Sequence, residues 1–206
     1  MAGAIPKTNT FYAEDRASWR KWLADNHDSY PGIWLVYYKK GSGKTRVNYD
    51  EAVEEALCFG WIDSTLNPID ELCYMQLYTP RKPKSGWSKL NKDRIEKLIA
   101  NGLMTPAGMA KIEIAQQNGM WSKLDHVEAF TIPAELCLAF DNNPQALAYY
   151  NSLASSNKKM ILYHINNTNK LETRMNRIND IIAAANNNKM LDRFTSSATL
   201  AKRKKL

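Results

Sequence analysis

Asn48-Tyr49-Asp50-Glu51-Ala52-Val53-Glu54-Glu55-Ala56-Leu57-Cys58-Phe59-Gly60-Trp61-Ile62-Asp63 sets a helix directly against a strand, and this stretch decides the fold class. Asn48 and Glu51 have the spacing of a capping box, with Asn in place of the usual Ser or Thr, so a helix opens here. Asp50, Glu51, Glu54 and Glu55 favour its positive N-terminal end. The helix is expected to run through Phe59 and to stop at Gly60, the residue type that best tolerates a helix C-cap. Trp61 to Leu66 then reads as a strand. Leu72 to Thr79 reads as its hairpin partner, across a loop at Asn67-Pro68-Ile69-Asp70.

Working upstream, Ala13 to His27 reads as an amphipathic helix carrying Ala17, Trp19, Trp22 and Leu23 at helical spacing, with Asp15 as its cap. Pro31-Gly32 breaks the chain, Ile33 to Lys40 is rich in aromatic and β-branched residues and reads as a strand, and Gly41-Ser42-Gly43 turns it. Downstream, Asn91 to Ala100 is expected to be helical and closed by Asn101-Gly102. Thr105-Pro106 opens another helix, which Asn118-Gly119 closes. From about Pro133 only helical patterns remain. Asn143-Pro144 starts one helix, Ser156 a second, and Lys170 to Asn186 forms a third with a narrow stripe of Leu171, Met175, Ile178, Ile182 and Ala185. The expected fold is α+β: a mixed N-terminal domain with a small sheet and flanking helices over residues 1–125, then an all-helical C-terminal module over 126–190. Residues 191–206 read as a basic, disordered tail ending Lys202-Arg203-Lys204-Lys205.

At 206 residues the chain can bury a real core, and its 44% hydrophobic content is ordinary for a globular protein. Met1 to Thr10 lacks the apolar run of a signal peptide, and Ile33 to Tyr38 is too short to span a bilayer. Cys58, Cys73 and Cys137 are odd in number and far apart, which suits reduced thiols and a cytoplasmic location. The formal charge of +7 is uneven: residues 81–97 hold seven Lys/Arg against two Asp/Glu, and residues 170–206 hold nine against three. Clustered positive charge suits anionic partners.

Several motifs resolve into ordinary structure. Gly41-Ser42-Gly43-Lys44-Thr45 has the end of a phosphate-binding loop, but Tyr38 stands where its first Gly belongs and no helix starts at Lys44-Thr45. His27, His126 and His164 have no partner at a metal-ligand spacing, so no metal or cofactor is expected. No Ser sits in a nucleophile elbow, and Cys58 reads as a buried thiol. Glu51 and Glu55 share a helix face that reads as solvated. No catalytic residue is assigned.

The block from Cys58 to Asn91 stands apart. Arg81-Lys82-Pro83-Lys84-Ser85-Gly86-Trp87-Ser88 joins a strand to a helix start, a setting suited to a phosphate or carboxylate. Arg81 and Lys84 would supply charge, Ser88 and Asn91 hydrogen bonds, and Trp61 and Trp87 an apolar wall. Asp63 would pair with Arg81 and hold its guanidinium. The bland alternative places both Trp residues in the core, uses Ser88 as a helix cap and leaves the lysines solvated.

At Trp19-Arg20-Lys21-Trp22-Leu23, at Tyr49 to Asp63 and at Thr79 to Asn91 the chain resembles the bacterial YdeI-like family, labelled bacteriocin-protection or OmpD-associated. Gly102-Leu103-Met104, Gly119-Met120-Trp121 and Glu172-Thr173-Arg174 with Arg177-Ile178 continue the resemblance, which spans about residues 10–188. Thr168-Asn169 departs from it, standing where the family pattern carries Ala-Lys. The resemblance implies a bacterial protein linked to stress or the envelope, with a part in tolerance of bacteriocins or cationic peptides. The leading expectation is a non-enzymatic binding protein that holds an anionic small molecule or protein partner near residues 81–91. Two rivals are nucleic-acid binding through the tail with Arg174, Arg177, Lys189 and Arg193, and an enzyme acting on a phosphorylated metabolite in the same cleft.

Overall fold

The computed structural model describes residues 5–194, which divide between Lys123 and Leu124 into two units. The N-terminal unit contains β1 (Thr10–Tyr12), α1 (Arg16–Asn26), β2 (Ile33–Tyr38), α2 (Tyr49–Cys58), β3 (Trp61–Pro68), β4 (Cys73–Pro80), α3 (Lys89–Ala100) and α4 (Pro106–Gln117). Its mixed four-stranded sheet has the order β1-β2-β4-β3. β1 was not expected from the sequence. It is three residues long, too short to show a period, and pairs parallel to β2 with Thr10 opposite Trp34.

The hairpin forms, with β3 longer than expected and β4 shifted by one residue. β3 runs on to Pro68, and Asn67 and Pro68 pair with Met75 and Tyr74 inside the ladder. Proline is tolerated because β3 is an edge strand, where a missing N–H leaves no gap in the sheet. The loop is therefore Ile69 to Leu72, closed by the Asp70 carboxylate, which accepts from the Leu72 and Cys73 N–H groups at 2.7 and 2.8 Å. A register irregularity lies between Asp63 and Leu66.

One face of the sheet carries Ile33, Leu35 and Tyr37 opposite Tyr78, Gln76 and Tyr74. These aromatic and aliphatic residues share a core with Trp19 and Leu23 of α1, and with Val53, Ala56 and Leu57 of α2. Buried indoles keep their N–H groups satisfied: Trp19 donates to the Ala52 carbonyl at 3.0 Å and Trp61 to the His27 carbonyl at 2.9 Å. Asp15 caps α1 as its sequence suggests, and Glu51 reaches back to accept from the Asn48 N–H at 3.1 Å. Glu55 departs from the sequence reading. It is only 2% exposed, and its two oxygens meet Arg16 Nε at 2.5 Å and Arg20 Nη1 at 2.6 Å. A carboxylate so buried persists only with charged partners, and both come from α1, which the helix pattern could not reveal.

The C-terminal unit is helical among the described residues, with α5 (Asp125–Glu128), α6 (Ala134–Asp141), α7 (Pro144–Ser152), α8 (Ser155–Asn166), α9 (Leu171–Asn186) and a single 3-10 turn at Asp192–Phe194. Leu136, Phe140, Ala146, Tyr150, Leu162, Ile165 and Ile178 form its core. Only the C-terminal half of the α9 stripe is covered: Ile178, Ile181, Ile182 and Ala185 are buried, while Leu171 is 65% and Met175 38% exposed. Met190, Leu191 and Phe194 pack against this core, so the packed chain continues past residue 190. The rest of the expected tail, residues 195–206, lies outside the described residues. Among the described residues no helix is long and apolar enough to cross a membrane.

Gly108 of α4 crosses the end of α2 so closely that an added Cβ would stand 2.2 Å from the Cys58 carbonyl oxygen. Backbone cannot yield there, so Gly108→Ala should cost about 2–3 kcal/mol by urea denaturation. Gly119→Ala, with nothing within 4 Å but φ at +76°, should lose only about 1 kcal/mol. In the C-terminal unit, His164 Nε2 faces Arg193 Nη1 at 3.3 Å, and its ring meets Phe194 edge-on. Burial, then Arg177 and Arg193, hold the His164 pKa below its usual value, with Asp180 acting weakly the other way. The unfolded chain therefore takes up the proton first as pH falls below about 6.5, and stability should decline there. His164→Gln should flatten that part of the stability–pH curve; an unchanged slope would assign it elsewhere.

Candidate ligand-binding site

The polar cluster of the N-terminal unit is assembled by the two ends of α2. At its C-terminal end, Gly60 adopts φ +73° and its carbonyl accepts the Arg81 N–H at 2.9 Å, which places Arg81 beside the start of β3. Arg81 is 5% exposed. Its guanidinium lies 3.6 Å from the centroid of the Trp87 ring, and Nη2 donates to the Gly86 carbonyl at 2.9 Å. Its Nε is buried and has no hydrogen-bond partner. Burial lowers its pKa to about 10, an effect that the charge of Asp63 partly offsets.

Asp63 extends from β3 opposite Tyr78. Its Oδ2 accepts from the Tyr49 hydroxyl at 2.8 Å and from Gln76 Nε2 at 3.3 Å. Gln76 is 5% exposed and also donates to the Ser64 carbonyl at 2.9 Å. Burial, then the hydrogen bond to Asp63, push the Tyr49 phenol up to about 12. Tyr37 and Tyr78 share a hydroxyl–hydroxyl hydrogen bond of 2.9 Å, and burial raises both phenols well above their usual range. At the N-terminal end of α2, Asp50 pairs with Arg94 Nη2, and Arg94 Nη1 donates to Asn91 Oδ1 at 3.0 Å.

The structure brings Arg81 and Trp87 into direct contact and places Asp63 where its charge acts on Arg81. The expected ion pair between Asp63 and Arg81 does not form: Tyr49 and Gln76 engage Asp63 Oδ2, and the Arg81 guanidinium is turned onto Gly86 and Trp87. Trp61 is 1% and Trp87 2% exposed, so both are core residues; Trp87 contributes its ring face to Arg81. Ser88 caps α3, which starts two residues before the expected Asn91. Lys84 is exposed. Tyr49, Gln76 and Arg94 were not singled out in the sequence. Gln76 had a signal, being a polar residue in the middle of the apolar run Cys73 to Tyr78. Tyr49 and Arg94 had none beyond their place on helices.

Other motifs fall away from this site. Gly41 to Thr45 is a turn well before α2, and Lys44 donates to the Tyr38 hydroxyl at 3.1 Å while lying over its ring. Among the described residues no group of three or more His, Cys, Asp or Glu could hold a metal ion. Three of the cations considered for nucleic acid are engaged within the C-terminal unit. Arg174 meets Glu135 at 3.2 Å, Arg177 donates to the carbonyls of His164 and Asn167, and Arg193 faces His164.

A two-unit protein thus emerges, with an α+β unit carrying a buried arginine and a carboxylate and a separate helical unit. Residues 129–188 match the family described as Bacteriocin-protection, YdeI or OmpD-Associated, so the YdeI-like resemblance holds over that part of the chain. Residues 11–111 match a Domain of unknown function (DUF8412), and the blocks at 49–63 and 79–91 fall there. No curated protein matches the chain, and no solved structure does.

Thiol chemistry is disfavoured around this cluster. Burial and the neighbouring Glu55 raise the Cys58 thiol to about 11, and burial followed by the hydrogen bond to Asp70 raises Cys73. A thiol reagent at pH 8 should therefore label exposed Cys137 in the folded protein, and Cys58 and Cys73 only after denaturation. Rapid labelling of Cys58 in the native state would contradict the packing described.

Proposed function

We propose that the N-terminal unit binds a small anionic group at Arg81 and that the protein acts as a binding protein, not as an enzyme. The observation that carries this reading is the buried Arg81 guanidinium, with one hydrogen bond made and its Nε–H facing no acceptor. A guanidinium has five donors, and desolvating it without partners costs several kcal/mol. The Trp87 face returns about 1–2 kcal/mol and uses none of those donors. An oxyanion seated against Nε would supply the missing acceptor and restore the cation's ordinary pKa.

The remaining groups of the cluster support binding over catalysis. Tyr37, Tyr49 and Tyr78 are held in the protonated form at neutral pH, so they are donors and not nucleophiles. The two carboxylates, Asp50 and Asp63, already accept from Arg94, Tyr49 and Gln76. A cytoplasmic setting accords with the three unpaired thiols. A part in protection against bacteriocins is supported by the description of the family that residues 129–188 match.

Thermal unfolding in acetate, phosphate and sulfate series tests this reading. A ligand bound only by the folded state raises the melting temperature by mass action, so at least one anion should raise it by a few degrees. Arg81→Gln, with folding checked by circular dichroism, should abolish that rise. Absence of any shift in the unmodified protein, or equal shifts in folded Arg81→Gln, would overturn it.

A further inference from the structure

Arg81 has a half-buried carboxylate, Asp63, as its neighbour in the cluster. Both side-chain hydrogen bonds received by Asp63 arrive at Oδ2, from Tyr49 and from Gln76, which leaves Oδ1 of this half-buried residue to solvent. Asp63 is close enough for its charge to act on the Arg81 guanidinium, yet the two do not pair. A buried unmet donor and a carboxylate oxygen held only by water therefore stand near each other, on side chains whose backbones are fixed. Arg81 is pinned to Gly60 at the start of β3, and Asp63 lies three residues farther along that strand, about 10 Å on. Tyr49, 43% exposed, gives the cluster an open side next to Asp63.

The charges limit what can fill the gap. Arg94 is already held by Asp50 and Asn91, and among the described residues Arg81 is the one buried cation. A doubly charged anion on Arg81 would bring its extra charge against the nearby Asp63 carboxylate, while Lys82 and Lys84 of the same loop stay in solvent. A plain monocarboxylate would complete Arg81 and set a second negative charge beside Asp63, with only water on Oδ1. A ligand carrying a carboxylate and an ammonium completes both with charge-assisted hydrogen bonds. We propose that the site takes a small zwitterionic aminocarboxylate, its carboxylate on Arg81 Nε and its ammonium on Asp63 Oδ1. This rests on the reading of Arg81 as the anion receptor and adds the second half of the recognition.

Calorimetric titration can separate the two halves. Glycine, β-alanine and 4-aminobutyrate are compared with acetate, propionate and butyrate on the full chain and on Asp63→Asn. At least one aminocarboxylate should bind about tenfold or more tighter than its deaminated counterpart, with the best chain length reporting the span. In Asp63→Asn that ratio should fall to about one, while the plain carboxylate binds as well as before or better. Circular dichroism and the urea midpoint of Asp63→Asn guard against reading a folding defect as lost recognition. If plain carboxylates bind equally well, or the preference survives in folded Asp63→Asn, the zwitterion assignment falls while Arg81 keeps its role. If neither series binds, the zwitterion assignment falls, and the melting-temperature series on Arg81→Gln decides the anion-receptor reading by itself.

Discussion

The last turn of α2 ends in carbonyls that no further helical N–H can reach, and the N-terminal unit is organised around where those carbonyls go. The Cys58 carbonyl accepts from the Thr105 N–H at 3.2 Å and from the Thr105 hydroxyl at 2.6 Å, which docks the start of α4. The Gly60 carbonyl takes the Arg81 N–H, which docks the end of β4. Helix termini leave such groups unpaired by geometry, and a buried terminus must find partners elsewhere. Here the partners come from two segments distant in sequence, and the left-handed Gly60 lets the chain turn at once into β3. Gly108 allows α4 to lie against the same turn. Arg81 is therefore buried as a consequence of how α2 is closed.

Charge by segment gave an incomplete picture of charge by position. The basic stretch 81–97 drew attention to Arg81 and Lys84 together, but Arg81 enters the core while Lys84 stays in solvent. Proximity in sequence cannot separate the two, because the difference lies in which residue continues the β4 backbone past Pro80 and which sits on the loop. Glu55 shows the same limit in reverse. Its helix position suggested water, and two arginines of α1 draw it inside.

What was legible in the residues was local. The caps at Asp15, Ser88 and Thr105, the stop at Gly60 and the hairpin could be read because each is set within about four residues. The three-residue β1 could not, since its existence depends on β2 lying beside it. The candidate site was half legible: Arg81, Trp87 and Asp63 were named, and Arg81–Trp87 is a near neighbour contact. Tyr49, Gln76 and Arg94 join only when α2, β4 and α3 are folded together. The proposed Asp63–Arg81 pair failed for the same reason, since nothing near Asp63 in sequence announced that Tyr49 and Gln76 would occupy it.

Arg81 also couples the site to the segment that follows. Its Nη2 holds the Gly86 carbonyl, its guanidinium covers Trp87, and Trp87 is followed at once by the α3 cap Ser88. Pro83 in the same loop accepts from Asn118 Nδ2 at the end of α4 at 2.8 Å. The loop from Lys82 to Gly86 is thus fastened at both sides while Lys82 and Lys84 remain exposed. A ligand that completes Nε would fix the guanidinium plane, and with it the Gly86 carbonyl and the Trp87 ring. The energetic effect of an occupied site would then extend along this loop to the start of α3, where the exposed lysines lie. Coupling of this kind needs no large movement, because the same side chain makes both sets of contacts.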